Sequence, residues 1–198
     1  AYCYQESGDF EGALKYYTRA ELIDRKVWTI KKIGLCLRKL GKNEESLEYY
    51  LQACDMEPEN IHTVIMIAHC YLDLKNYEQA LKYYFRIEYS EPGNLKILRP
   101  IAYCYFALGR FEDSEKYYDR LSESKLNAHD QINKGHLALC KGNKKEAIDF
   151  YRQSIIGGEI SKEQFLSIFA EDKPLLLSLG VNTDDLPILL DYLLFTIG

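Results

Sequence analysis

The chain has 198 residues, 47% of them hydrophobic and 28% charged, with only 12 Gly and 5 Pro; that is the composition of a folded domain and excludes a disordered tail or a linker. Its formal charge of −5 argues against general nucleic-acid binding, which needs an excess of Lys and Arg against the phosphate backbone. No apolar run approaches the ~20 residues that cross a bilayer as a helix, the longest being the interrupted stretch from Leu186 to Ile197.

The sequence opens AYCYQESGDF, with no initiator Met and no basic-then-apolar leader, and so looks like an excised fragment. From there it repeats itself. Aromatic pairs stand at Tyr16-Tyr17, Tyr49-Tyr50, Tyr83-Tyr84, Tyr117-Tyr118 and Phe150-Tyr151, spaced by 33, 34, 34 and 33 residues. Four residues before the second member of each pair comes a small residue: Ala13, Ser46, Ala80, Ser114, Ala147. Five residues earlier stand Gly8, Gly41, Lys75, Gly109 and Gly142, and upstream again Ala1, Gly34, Ala68, Ala102 and Gly135. The register predicts five repeats, the first lacking its beginning. Each reads as two helices, as in Asn60 to Leu74 and Tyr77 to Tyr89, where apolar residues fall three and four apart. The Gly at the join supplies the left-handed residue that ends a helix, and Pro58 and Pro92 close second helices.

Small residues in the first helix let its neighbour approach, and the aromatic pair of the second fills the space between hairpins. One hairpin cannot bury that face alone, so the hairpins are expected to stack into a right-handed superhelix whose first helices line the concave side. Pro100 falls inside the first helix of repeat four and predicts a kink there. After the repeats, Ser161 with Gln164 forms a capping-box pattern that opens a helix to about Ala170. Thr183-Asp184-Asp185 then precedes a last helix carrying Leu186, Ile188, Leu189, Leu190, Leu193, Leu194 and Phe195, with Pro187 tolerable in its first turn. Residues 1–157 thus read as repeats and 158–198 as terminal helices that cover the last hairpin's apolar face. The last helix is apolar around most of its circumference, more than one-sided docking needs, so self-association through it is an alternative use.

The segments IGLCLRKLGKNEESLEYYLQACDMEP (Ile33 to Pro58) and IAHCYLDLKNYEQALKYY (Ile67 to Tyr84) resemble the tetratricopeptide repeat (TPR) family, a likeness that extends over about residues 1–157. Leu126 departs from it where a Pro closes a repeat, and Lys134 where a large apolar residue is usual. The resemblance implies an all-α fold: a right-handed α-solenoid of stacked helix-turn-helix TPR hairpins with a C-terminal helical cap. It also implies a non-enzymatic scaffold or adaptor that binds proteins. TPRs that clamp chaperone tails use Lys, Asn and Arg on consecutive first helices, whereas His, Ile, Tyr and Leu occupy several of those positions here, so that ligand is not expected.

Cys3, Cys36, Cys70 and Cys104 recur at 33, 34 and 34 residues and therefore read as one small buried packing position, with no disulfide or redox role. No two cysteines have the short spacing of a zinc site. Six unpaired cysteines point to a reducing compartment, the cytoplasm. There is no Gly-rich phosphate loop, GxSxG, HExxH or EF-hand loop, and acid pairs such as Glu44-Glu45 sit in first turns where they complement the helix dipole. Catalytic residues, cofactor and metal are therefore not expected.

The remaining candidate is the concave face. First-helix positions three, four and three apart share that face: Trp28, Lys31, Leu35 and Arg38; His62, Ile65, His69 and Leu72; Lys96, Arg99, Tyr103 and Phe106; His129, Ile132, His136 and Leu139. All the histidines lie there and no acid does. Lys31, Arg38, Lys96 and Arg99 among Trp28, Tyr103 and Phe106 read as a basic, aromatic groove for an acidic peptide or helix of a protein partner. His62, His69, His129 and His136 are either polar surface residues or groups that gain charge between pH 7 and 5; each pair is about 10 Å apart by helical rise, too far for one ion. A peptide-sensing regulatory domain of a longer protein is the alternative use of the same groove.

Overall fold

A computed structural model describes residues 1–121 and 126–197; Gly198, the end of the last predicted helical segment, lies outside the described residues. The described secondary structure is all helix: α1 (Tyr2–Glu6), α2 (Phe10–Ile23), α3 (Val27–Lys39), α4 (Asn43–Met56), α5 (Ile61–Asp73), α6 (Tyr77–Ser90), α7 (Leu95–Ala107), α8 (Phe111–Asp119), α9 (Ala128–Cys140), α10 (Lys144–Ile156), α11 (Lys162–Ser178) and α12 (Asp185–Ile197). The chain forms two compact units, residues 1–97 and 98–198, with the division inside α7.

The hairpins owe their regularity to one turn used five times. The backbone N–H groups of Asp9, Lys42, Asn76, Arg110 and Asn143 donate to the carbonyls of Tyr4, Leu37, Tyr71, Tyr105 and Ala138 at 2.8–2.9 Å. These are the six-to-one bonds that satisfy the last carbonyls of a helix when the next residue turns left-handed. The residue before each donor supplies that turn: Gly41 has φ +75°, and at the equivalent point Lys75 takes φ +58°, a conformation that costs an L-residue roughly 1 kcal/mol.

The second aromatic of every pair (Tyr17, Tyr50, Tyr84, Tyr118, Tyr151) is at most 2% exposed. The small residues four positions earlier, from Ala13 to Ala147, are fully buried. Where that residue is serine its hydroxyl must find an acceptor, and it takes the carbonyl of the small residue on the first helix: Ser46 Oγ donates to Gly34 O at 2.7 Å and Ser114 Oγ to Ala102 O at 2.8 Å. Cys36, Cys70 and Cys104, at equivalent positions of α3, α5 and α7, are each buried as the packing reading expects, while Cys3 on α1 is exposed, against that reading.

In the second unit α11 and α12 bring Phe165, Phe169, Leu176, Leu186, Leu189 and Leu193 onto Ile132, Ala147, Tyr151 and Ile155 of α9 and α10. Ser161 makes the expected capping box with Gln164. The helix it opens runs to Ser178, through Pro174 and well past Ala170. Burial of Phe165, Phe169 and Leu176 on one side of α11 holds the helix together across the missing donor, an instance of packing outweighing propensity. Pro100 likewise lies within α7, which continues to Ala107. The architecture is an all-α solenoid of helical hairpins with two further helices on the last of them.

Candidate functional site

In the first unit the face positions lie on α3, α5 and the first turn of α7. Trp28 is 56% exposed, with its ring edge-on to Tyr17 at 5.6 Å and Lys32 Nζ 5.8 Å from its centre. Lys31 Nζ donates to Glu57 Oε2 at 2.5 Å, and Arg38 Nε to Asp73 Oδ2 at 2.6 Å. His62 and Lys96 are exposed. Partial burial, then the charges of Lys31, Lys96 and Lys32, hold the His62 imidazole below its ordinary pKa. Three lysines thus act on His62, and one of them, Lys32, also lies over the Trp28 ring.

His69 has a different role. Its Nδ1 is hydrogen-bonded to the Tyr84 hydroxyl at 2.7 Å, so it serves the buried tyrosine of its own hairpin. Burial, reinforced by Arg38, pushes its pKa down to about 4, which leaves it neutral across the pH 7 to 5 window of the charge-gaining alternative.

In the second unit the sequence-predicted positions divide between surface and core. Arg99 Nε donates to both oxygens of Asp130 at 3.0 and 2.8 Å. Asp130 is 2% exposed and also accepts the Asn127 N–H as half of the capping box that starts α9. Arg99 is thereby committed to a buried carboxylate. Tyr103 is half-buried and His129 exposed. Phe106 and His136 are each 1% exposed and belong to the core, where a partner cannot touch them. Phe106 stacks on the His136 ring at 6.3 Å. His136 Nδ1 is hydrogen-bonded to the Tyr151 hydroxyl at 2.8 Å, and Nε2 lies 3.2 Å from Asp172 Oδ2. Both histidines fifteen residues before a buried tyrosine thus answer the same need, a partner for a phenol with no access to water.

The absence of acids from the face positions did not mean an unneutralised groove. Glu57, Asp73 and Asp130 sit just beyond those positions, at the end of α4, the end of α5 and the third residue of α9. The Asn-x-x-Asp spacing at Asn127 and Asp130 was the readable signal for the last of them. Among the described residues no three of His, Cys, Asp or Glu converge on a point that could hold a metal, and no helix is long and apolar enough to cross a membrane. An open groove of about 600 Å³ in the first unit, lined by Pro58, Ile61, Val64, Phe85, Arg86 and Tyr89, shares no residue with the predicted face.

The tetratricopeptide repeat family model matches residues 1–27, 32–60 and 61–89. No curated protein matches the chain in sequence. Among solved structures, MamA from Desulfovibrio magneticus RS-1 superposes with a TM-score of 0.68 at 15% identity, over 76% of this chain and 86% of that one. A thermophilic TPR protein of Thermus thermophilus superposes at 0.64 and 17% identity, over 87% and 93%. Another MamA crystal structure gives 0.64 at 15% identity over 85% and 95%. At these identities the likeness is one of fold alone. The three matched repeats, with the repeating turn and the buried tyrosine register that run through them, show that residues 1–89 are tetratricopeptide repeats.

Proposed function

We propose that the chain is a non-enzymatic interaction module, with five repeats over residues 1–157 and terminal helices over 158–198, that holds an acidic segment of a protein partner on the Trp28 face of its first unit. TPR folds are typical of protein-binding scaffolds. The observation that carries the finer reading is an exposed tryptophan with Lys32 over its ring, on the helical face whose spacing also selects Lys31, His62 and Lys96. Aromatic and basic side chains of this kind supply most of the binding energy at peptide grooves. The Lys31–Glu57 pair is partly exposed, and such pairs contribute only about 0–1 kcal/mol, so a partner carboxylate can replace Glu57 at little cost. Arg99 does not offer that exchange, because releasing it would strand the buried Asp130. Cysteines that form no disulfide among the described residues support a reducing compartment such as the cytoplasm.

Trp28 is the single tryptophan, so its emission reports on this face directly. Titration with a peptide of alternating Glu and Leu should shift that emission, with an affinity that weakens as salt rises and falls about tenfold or more in Lys32→Glu with Lys96→Glu. A peptide of alternating Lys and Leu should leave it unchanged. Equal responses to both peptides, or none to the acidic one, would overturn the reading.

A further inference from the structure

The second unit carries a surface whose shape and charge are complementary to themselves. α12 buries Leu186, Leu189 and Leu193 against its own unit. Its outer side presents Ile188, Tyr192 and Phe195, 71%, 55% and 84% exposed, at the four- and three-residue steps that form one helical ridge. Beside the ridge runs a groove of about 420 Å³ between α11 and α12, floored by Leu166, Phe169, Ala170, Leu190 and Leu194 and edged by Lys173 on α11 and Asp191 on α12. Two nearby pairs are matched: Lys144 holds Asp185 at 2.7 Å and Arg152 holds Asp149 at 3.1 Å. Lys173 and Asp191 are both exposed and make no ion pair among the described residues.

We propose that a second copy of the chain covers this surface in a two-fold contact, the ridge of each copy seated in the α11–α12 groove of the other. One exposed cation and one exposed anion on opposite rims of an apolar groove suit such a partner. A two-fold axis brings Lys173 of each copy to Asp191 of the other, so both charges are answered at once. A segment bearing one sign of charge would satisfy one rim and be repelled by the other. Ridge-into-groove seating is the ordinary mode of helix packing. Tyr192 is already nearly half covered and Phe195 and Ile188 are mostly exposed, so only part of the roughly 150–250 Å² that an aromatic can bury is gained at Tyr192, and the contact falls at the small, transient end of interface sizes. The dimer is therefore reversible. It is independent of peptide binding by the first unit.

Sedimentation equilibrium from about 1 to about 300 μM, the range in which an interface of this size is half-formed, should show the mass rising from 23.1 kDa to twice that value. Phe195→Asp, at an exposed position, should stay monomeric with unchanged helical circular dichroism. Lys173→Glu and Asp191→Lys should each weaken the dimer about tenfold or more, since each alone sets like charges face to face at both rims. An equimolar mixture of those two variants should recover a mixed dimer of native affinity, because every rim then meets its opposite. A native chain that stays at monomer mass would rule out self-association. A dimer that survives Phe195→Asp would assign it to another surface, and single charge variants that weaken association without recovery on mixing would refute the two-fold arrangement. The charge variants lie on the surface and keep the test intact if Phe195→Asp fails to fold.

Discussion

His69 shows how one residue type at one register can serve the core where the sequence suggested a surface. Its ring is hydrogen-bonded to the Tyr84 hydroxyl, and burial followed by Arg38 holds its pKa at about 4, with Asp73 opposing and His62 adding slightly. In the unfolded chain the ring titrates near 6.5. Between those values the unfolded state binds a proton that the native state does not, so stability falls as pH drops through 6.5 towards 4. Urea unfolding at pH 7 and pH 4.5 should show the native chain losing about 2 kcal/mol more than His69→Gln, which cannot titrate; equal losses would mean that the ring is protonated in the fold. Gly135 makes a second point about register. A Cβ there would lie 2.3 Å from the Tyr151 ring, whereas one at Gly34 would lie 3.1 Å from Tyr50. Tyr151 is fully buried and hydrogen-bonded to His136, so it has nowhere to retreat. Gly135→Ala should cost about 1–3 kcal/mol and lower the thermal midpoint by about 4–8 °C, with Gly34→Ala well under half of that. The reverse order would show that the Tyr151 ring is the more mobile of the two.

At the level of helices and turns, the sequence was legible where a physical requirement repeats. Five joins each need a left-handed residue and a short second-helix side chain, and composition at a period of 33 or 34 betrays both, even at Lys75, where only the register identifies the turn. The capping box at Ser161 was legible because its hydrogen bonds are local. The length of α11 was not, since its continuation past Pro174 is decided by what Phe169 and Leu176 pack against. The candidate face was half legible for the same reason. Helical spacing picks out Trp28, Lys31, His62 and Lys96, which are exposed or partly exposed in the first unit. It could not tell that Phe106 and His136, later members of the same helical face, would be covered by Phe169 and its neighbours on α11. Nor could it pair Arg99 with Asp130, a contact made across 31 residues.

For the molecule as a whole, the distribution of apolar contacts decides how it should come apart. The first unit is held by clusters around Tyr17 with Ile33 and Tyr50 with Ile67, the second by the larger cluster that joins α9 and α10 to α11 and α12. In stacked repeats each hairpin is stabilised by its own packing and its nearest neighbours, so damage spreads over short distances. Gly135→Ala therefore gives a probe confined to the second unit. A loss of about 2 kcal/mol should raise amide exchange of α9 and α10 by about 30-fold under conditions where exchange follows the opening equilibrium. The amides of α3 to α5 should change by less than about twofold if their opening draws only on their own unit. Equal acceleration in both sets would show one cooperative transition for the whole chain. The predicted gradient leaves the Trp28 face folded while the second unit opens, so acidic peptides should still bind the Gly135→Ala variant at temperatures where the ridge on α12 has lost its support.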